Sequence, residues 1–288
     1  MQVKELKIQV NGRVVAAMEY GDSSSEEVVL AAHGWLDNAA SFALLAPRLN
    51  AQRVISVDLP GHGLSDWRAE GDWYAIWDYV LDLYGVLHEL KLQRVHLLGH
   101  SLGAGILSML AAMAPESVVS LVMLEGLGPL SQTPESAPAQ MGKALEWRKA
   151  PSRASIIYSD VERMVQARMK GRFPVGYEGA KALVLRGTRQ VETGFVWSHD
   201  PRLLAPSVAR LTEPEVRGFL SQIRPPVLVC LTEGGIATEE SRERLRVINN
   251  LHRVELKGGH HPHLEESELD AVSDSINRFY RTIRYQQR

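Results

Sequence analysis

The sequence contains a single cysteine among its 288 residues, which excludes an intramolecular disulfide and a cysteine metal cluster. That residue, Cys230, lies inside an apolar run and is predicted to be a buried strand residue in a reducing compartment. No stretch has the roughly 18 apolar residues of a membrane span, and Met1 to Val10 lacks an apolar signal region, so we expect a cytoplasmic protein. A net charge of −2 provides no basic field that would collect nucleic acid.

What the sequence does contain is a succession of short apolar strands and amphipathic helices. Residues 3–10 and 13–20 alternate around Asn11-Gly12, which predicts an antiparallel hairpin. Strands this apolar are buried on both faces, as in a parallel sheet covered by helices, and the helical spacing between Ile76 and Leu90 predicts one such helix. The predicted core strands are Val28–Ala32, Val54–Val57, Arg94–Leu98, Val118–Leu124, Val227–Leu231 and Arg253–Leu256.

This alternation stops between Gly126 and Arg224. The stretch is rich in proline and in amphipathic segments, and only Ala182–Leu185 resembles a buried strand of the earlier kind. We interpret residues 126–224 as a helical insertion, which leaves residues 1–125 and 225–288 as the α/β core. Several aromatic residues could line a pocket beneath the insertion or form its own core. They are Trp147, Tyr158, Phe173, Tyr177, Phe195 and Trp197.

A predicted strand ends in Gly99-His100-Ser101-Leu102-Gly103 and continues at once into a segment rich in helix formers. That order is typical of a nucleophile elbow, a strand-to-helix turn so tight that glycines must flank the serine. Ser101 is therefore the candidate nucleophile. Upstream, His33-Gly34-Trp35 follows the first parallel strand, and the backbone amides of Trp35 and Leu102 are the candidate donors of an oxyanion hole.

A histidine-rich segment, Gly258-Gly259-His260-His261-Pro262-His263, follows the last predicted strand. A histidine on such a loop can reach over the sheet to a serine at the elbow, and the serine precedes the histidine, as this type of site requires. His260 is the candidate base. His261 and His263 are of a residue type that binds metals, but no matched acidic or cysteine ligands stand near them in the sequence, so we interpret both as loop residues and expect no metal site.

Two glutamates compete for the role of the acid that orients the histidine. Glu233 lies in the turn after the penultimate core strand, where such an acid is usual, but Gly235 occupies the position expected for an aspartate. Glu125 ends the strand Val118–Leu124 and can reach the histidine from the other side. We favour Glu125, because sheets of this kind place their chemistry at strand ends facing the crevice, and Glu233 is the alternative.

The loop Asp58-Leu59-Pro60-Gly61-His62-Gly63-Leu64-Ser65 is made rigid by its glycines and proline, so Asp58 and His62 are interpreted as structural. Together with His33-Gly34-Trp35, Gly99-His100-Ser101-Leu102-Gly103 and Gly259-His260, this loop resembles the α/β-hydrolase superfamily, over residues 10–125 and 225–285. The stretch 33–42 looks like the serine hydrolase-like proteins. The resemblance implies an eight-stranded, mostly parallel sheet with helices on both faces and a helical cap inserted after the sixth strand.

The resemblance also bears on the acid and the nucleophile. Haloalkane dehalogenases and some lipases of this superfamily carry the acid after the sixth strand, and Met123-Leu124-Glu125 resembles that arrangement. Dehalogenases and epoxide hydrolases use an aspartate nucleophile, so a serine at position 101 argues against both chemistries.

These residues predict a serine hydrolase that cleaves small carboxylic esters through an acyl-enzyme, without a metal or an organic cofactor. The superfamily also includes thioesterases, acyltransferases and carbon–carbon bond hydrolases on the same triad, and the sequence does not choose among them. A different alternative is a non-catalytic relative that acts as a binding protein. The missing acid at Gly235 favours it, whereas the intact Ser101 and His260 argue against it. No heptad run or long exposed apolar strand points to an oligomer interface.

Overall fold

The structure, a computed structural model, describes residues 2–149 and 155–286. Its strands are β1 (Val3–Val10), β2 (Arg13–Gly21), β3 (Val28–Ala32), β4 (Arg53–Val57), β5 (Val95–His100), β6 (Val118–Leu124), β7 (Thr188–Val191), β8 (Gly194–Trp197), β9 (Val227–Thr232) and β10 (Leu251–Leu256). Its α-helices are α1 (Ile76–Glu89), α2 (Leu102–Met113), α3 (Ala137–Lys149), α4 (Val161–Met169), α5 (Tyr177–Gly187), α6 (Glu213–Ser221), α7 (Glu239–Arg242) and α8 (Leu269–Gln286). None of the described helices has both the length and the apolar composition of a membrane span.

One eight-stranded sheet is built in the order β1-β2-β4-β3-β5-β6-β9-β10. β2 is antiparallel to β1 and to β4, and all pairings from β4 to β10 are parallel. The β1–β2 hairpin turns on Asn11 and Gly12, whose φ angles of 51° and 76° give the twist that a two-residue hairpin turn needs. The predicted hairpin and the mostly parallel sheet are confirmed. Because β5, β6 and β9 are parallel neighbours, their carboxyl ends meet at one edge.

Alternate residues of the central strands face two separate cores, one on either side of the sheet. Val28 and Leu30 of β3 pack on the side of α1 and α2, whereas Val29 and Ala31 pack on the side of α8. Cys230 of β9 is fully buried in the second core, where burial raises the pKa of its thiol to about 12. Helices therefore cover both faces, which confirms the predicted fold class.

The chain between β6 and β9 lies outside this sheet. It contains α3 to α6 and a separate antiparallel pair, β7 and β8, which the sequence does not predict. The comparison of Ala182–Leu185 with a buried strand is wrong, because this run belongs to α5. Its apolar residues Leu183 and Val184 pack against Met164 and Val165 of α4, whereas Leu185 lies on the outer side of the helix and is 64% exposed.

Two parts of residues 126–224 differ in what they pack against. α4 and α5 share a small core of their own, against which Tyr158, Phe195 and Trp197 are half-buried. α6 instead buries Val216 and Leu220 in the first core, on the side of the sheet that α2 covers. α6 therefore belongs to the packing of the core, whereas α4 and α5 pack on each other.

Leu107 of α2 is fully buried in the first core, whereas Leu81 of α1 is 53% exposed. Leu107→Ala is expected to lower the free energy of unfolding by about 2–5 kcal/mol, because it removes buried carbon atoms and leaves a cavity. Leu81→Ala, a control of the same residue type in a helix, should change that free energy by less than about 0.5 kcal/mol. Urea denaturation followed by circular dichroism measures both, and equal losses would contradict the packing described for α2.

Candidate active site

Ser101 stands at the turn between β5 and α2, with φ of 51° and ψ of −111°. This backbone conformation is strained for a residue that carries a side chain. Two glycines make the turn possible. A Cβ at Gly99 would lie 2.5 Å from the Cα of Ala104, and a Cβ at Gly103 would lie 2.0 Å from the carbonyl oxygen of Ala32. The turn has the tight strand-to-helix form that the Gly-x-Ser-x-Gly pattern predicts.

Ser101, His260 and Glu125 form a continuous chain of polar contacts. His260 Nε2 lies 3.0 Å from Ser101 Oγ, and His260 Nδ1 lies 3.3 Å from Glu125 Oε2. His260 is 5% exposed and Glu125 is 1% exposed. When Nδ1 donates its proton to the carboxylate, Nε2 keeps a lone pair toward the serine hydroxyl. This is the geometry of a nucleophile, a base and an orienting acid.

The Glu125 carboxylate is held by backbone amides of the loop after β9. The amide of Thr232 donates to Oε1 over 2.6 Å, and the amide of Ile236 donates to Oε2 over 3.0 Å. Glu125 itself has a positive φ of 49°, and its own amide donates to the carbonyl of Cys230 over 2.9 Å. The side chain is therefore fixed from both ends, and its position relative to His260 does not depend on solvent.

Gly235 provides the space that this carboxylate occupies. A Cβ at Gly235 would lie 2.0 Å from Glu125 Oε2 and 2.4 Å from its Cδ, so the two positions cannot both carry a side chain in this arrangement. Glu233, the alternative acid, lies in the same loop but is exposed. The structure thus brings Glu125 to the histidine and leaves Glu233 at the surface.

The candidate oxyanion-hole amides lie on two segments that are bonded to each other. Trp35 follows β3 and Leu102 begins α2, and the amide of Gly103 donates to the carbonyl of His33 over 3.1 Å. Leu36 has a positive φ of 63°, which marks a sharp turn directly after Trp35. The indole of Trp35 donates to the carbonyl of Leu203, so its side chain points toward the insertion. The role of the two amides stays a prediction.

Asp58 ties the loops after β3 and β4 to the insertion. Its carboxylate is fully buried and accepts hydrogen bonds from the amides of Ala39 at 2.6 Å and Leu64 at 2.9 Å. The guanidinium of Arg186, on α5, donates to the same carboxylate over 3.0 Å. These contacts fit the structural role that the glycine- and proline-rich loop suggests.

A second polar group, formed by Asp37, His100, His261 and Arg168, lies beside His260. His261 Nε2 lies 3.2 Å from Asp37 Oδ2, and Arg168 of α4 donates to Asp37 Oδ1 over 3.0 Å. Burial tends to raise the pKa of Asp37, but the His261 hydrogen bond and the charge of Arg168 hold that pKa well below its usual value. Burial also holds the pKa of His100 well below its usual value, so this imidazole is neutral.

Sequence spacing alone misses this group. His261 is interpreted from the sequence as a loop residue without acidic neighbours, but the fold brings it to Asp37, 224 positions away. His263, interpreted in the same way, faces the hydroxyl of Ser41 at 2.9 Å. The signal that could have found the group is the position of Asp37 just after β3, because the ends of β3 and β10 open onto the same edge of the sheet.

Phe173, in the loop between α4 and α5, lies over His260. Its ring centroid lies 4.5 Å from that of His260, and its backbone carbonyl accepts a hydrogen bond of 2.9 Å from Arg168. Arg168 therefore connects this loop to Asp37 as well. Among the aromatic residues of the insertion, Phe173 is placed to contact whatever occupies the space next to Ser101.

The fold defines the class of the protein as an α/β hydrolase, and the family model described as "alpha/beta hydrolase fold" matches residues 27–161. A serine hydrolase-like protein of Dictyostelium discoideum is 30% identical over 96% of this chain and 81% of its own length. The serine hydrolase-like protein of Danio rerio is 31% identical over 87% of this chain and 80% of its own. The chain belongs to this family of serine hydrolase-like α/β hydrolases.

A solved structure with a similar fold covers almost the whole chain. The crystal structure of a hypothetical protein from Pseudomonas aeruginosa PAO1 is 36% identical in sequence, with a TM-score of 0.92. The alignment spans 96% of this chain and 99% of that one. The core and the insertion between β6 and β9 are therefore both within the aligned region.

Gly235 and Gly259 offer a matched test of the Glu125 position. A Cβ at Gly235 would collide with Glu125 Oε2, whereas a Cβ at Gly259, next to His260, would meet no atom within 4 Å. Gly235→Ala is expected to displace the carboxylate and abolish the low-field proton NMR resonance of a histidine Nδ1–H bonded to it. Gly259→Ala should keep that resonance. An unchanged resonance in Gly235→Ala would show that the position of the Glu125 carboxylate does not depend on the absence of a side chain at Gly235.

Proposed function

We propose that this chain is a serine hydrolase that cleaves carboxylic esters through an acyl-enzyme, with a Ser101–His260–Glu125 triad. The observation that supports this most directly is the chain of contacts from Ser101 Oγ to His260 Nε2 at 3.0 Å and from His260 Nδ1 to Glu125 Oε2 at 3.3 Å. Its membership of the serine hydrolase-like family supports the coarser part of this proposal, a hydrolase. The proposed steps need no metal or organic cofactor.

In the first half of the reaction, His260 Nε2 takes the proton of Ser101 as Oγ attacks the ester carbonyl carbon. The carbonyl oxygen becomes an oxyanion, which the amides of Trp35 and Leu102 receive. Glu125 stabilises the imidazolium and holds its tautomer. Collapse of the tetrahedral intermediate breaks the bond to the alcohol oxygen, which leaves with the proton from His260, and the acyl group remains on Ser101.

In the second half, a water molecule gives a proton to His260 Nε2 and attacks the acyl carbon. The same amides hold the second oxyanion. Its collapse breaks the bond to Ser101 Oγ, which recovers its proton from His260, and the carboxylic acid is released. The triad returns to its starting state.

We propose that residues 126–224 act as a cap that selects the substrate. Phe173 supports this, because its ring lies directly on His260 and thus beside the space where the acyl or alcohol group must sit. The cap is bound to the core through the indole of Trp35, which donates to Leu203, and through Asn38, which donates to the carbonyl of Leu183 over 2.8 Å. The aromatic ring of Phe173 offers an apolar surface at this point, which favours an uncharged group there.

The reactivity of Ser101 distinguishes a hydrolase from a non-catalytic binding protein. A fluorophosphonate probe is expected to label the wild-type chain and to leave Ser101→Ala unlabelled, because only a serine activated by His260 attacks phosphorus at a useful rate. A panel of p-nitrophenyl esters of increasing chain length, with acyl thioesters alongside, then measures substrate choice. Equal labelling or ester hydrolysis by Ser101→Ala would refute the assignment.

The two glutamates provide the second test. Glu125→Gln is expected to lower kcat by about 10²- to 10⁴-fold, because the amide cannot stabilise the imidazolium or hold its tautomer as a carboxylate does. Glu233→Gln, the same change at an exposed position of the neighbouring loop, should leave kcat within about twofold of wild type. Ester hydrolysis measures the kcat of both variants, and circular dichroism shows whether both are folded. A large loss in Glu233→Gln alone would move the acid to that residue.

A further inference from the structure

Asp37, His100 and His261 bring three potential metal-binding atoms together beside the triad. His100 Nδ1, His261 Nε2 and an Asp37 oxygen all lie within 4.8 Å of one another, and all three residues are buried. Asp37 Oδ2 lies 3.2 Å from His261 Nε2 and 4.0 Å from His100 Nδ1. The residues come from the loop after β3, the end of β5 and the loop after β10, so the cluster exists only in the folded chain.

The tautomer of His100 makes this arrangement unusual. Its Nε2 lies 2.8 Å from the carbonyl oxygen of His260, and only a protonated nitrogen can bond to a carbonyl. Nδ1 of the neutral ring therefore carries a lone pair. That lone pair is buried, has no hydrogen-bond partner among the described residues, and faces the Asp37 carboxylate. Asp37 already has Arg168 on Oδ1 and His261 on Oδ2, so the unsatisfied atom is His100 Nδ1, which a cation or a bridging donor would join to the carboxylate.

We propose that Asp37, His100 and His261 form a binding site for a divalent transition metal of the Zn²⁺, Co²⁺ and Ni²⁺ class. Imidazole and carboxylate ligands suit these ions. Metal–ligand bonds of about 2.0–2.2 Å place tetrahedral ligand atoms about 3.4 Å apart, so the 3.2 Å pair already fits and the 4.0 Å pair must close by about half an ångström. The two histidine nitrogens lie within 4.8 Å of each other and must close by at most about 1.4 Å. The hydrogen bond from His100 to the carbonyl of His260 is the contact that fixes a metal-binding imidazole in other proteins.

Gly34 keeps the space beside these atoms free. A Cβ at Gly34 would lie 2.8 Å from His100 Nδ1 and 3.4 Å from Asp37 Oδ2. Any side chain at position 34 would therefore fill the space next to His100 Nδ1 and Asp37 Oδ2. A glycine leaves it open to an ion and to the solvent molecule that would complete its coordination.

Arg168 competes with the proposed metal. Its Nη2 lies 3.0 Å from Asp37 Oδ1 and 3.2 Å from His261 Nε2, so a guanidinium occupies one side of the same ligands. Two cations cannot share this buried carboxylate at full strength, and metal binding must move Arg168 away. Because Arg168 also holds the carbonyl of Phe173, the ion would loosen the loop that covers His260. Metal binding at this site would therefore change how easily a substrate reaches the triad.

Zn²⁺ titration calorimetry on the full chain tests the proposal through binding alone. Wild type is expected to bind one Zn²⁺ per chain, and Co²⁺ at the same site should give visible absorption bands of low-coordinate cobalt. Arg168→Gln should bind at least about tenfold more tightly, because it removes the competing charge. Asp37→Asn and His261→Gln should each weaken binding by about 100-fold or more. His88→Gln, at an exposed histidine beside Glu89, should bind as wild type does.

The direction of the Arg168→Gln effect separates the proposed site from adventitious binding to surface histidines. Unchanged or weaker affinity in that variant overturns the proposal, as does wild-type affinity in either ligand variant. Absence of Zn²⁺ binding by both wild type and Arg168→Gln overturns it as well. Circular dichroism shows which variants are folded, and His261→Gln replaces Asp37→Asn in the comparison if loss of Asp37 disrupts the loop.

Discussion

The geometry of the site depends on the Glu125 carboxylate, whose position is held by hydrogen bonds. It accepts hydrogen bonds from the amides of Thr232 and Ile236 and a contact from His260, so a single side chain joins the end of β6 to the loops after β9 and β10. A buried carboxylate needs this many donors, because an unpaired charge in such a place costs several kcal/mol. The hydrogen bonds that satisfy the Glu125 carboxylate also hold it where it orients the His260 imidazole toward Ser101.

The backbone accepts strain at the strand ends that surround this point. Leu36 after β3, Ser101 after β5 and Glu125 after β6 all have positive φ angles, between 49° and 63°. Each such residue costs on the order of 1–3 kcal/mol and persists only where the surrounding structure determines it. The two apolar cores provide that support, because the strands that end here are buried on both faces. The rigid strands thus keep the three strained turns in fixed positions relative to one another.

The sequence predicts the sheet and the turn at Ser101 because both are local signals. Apolar runs identify the strands, and the glycines around Ser101 identify a turn that few other sequences can form. The choice between Glu125 and Glu233 is harder, since it depends on the empty space at Gly235, which is a property of packing across strands. From the sequence alone, the absence of an acid at position 235 counts against catalysis. In the folded chain, the absence of a side chain at Gly235 is what lets the Glu125 carboxylate reach His260.

The insertion is where sequence patterns fail, for a related reason. A run of four apolar residues, Ala182–Leu185, fits a buried strand or one face of a helix equally well, and only packing against α4 decides for the helix. The β7–β8 pair is short and mostly half-exposed, so its residues carry little alternation. The contact of His261 with Asp37 has no local signal at all, because the two residues lie on different loops.

The ties between the insertion and the core are unequal, and this difference bears on how a substrate reaches Ser101. Arg186 of α5 is bonded to the fully buried Asp58 and, with both terminal nitrogens, to Glu5. Breaking that contact would leave Asp58 as an uncompensated buried charge. Arg168 of α4 instead shares Asp37 with His261, so Asp37 keeps a partner when the guanidinium leaves. The insertion is therefore anchored at α5 and held more weakly at α4, on the side where Phe173 covers His260.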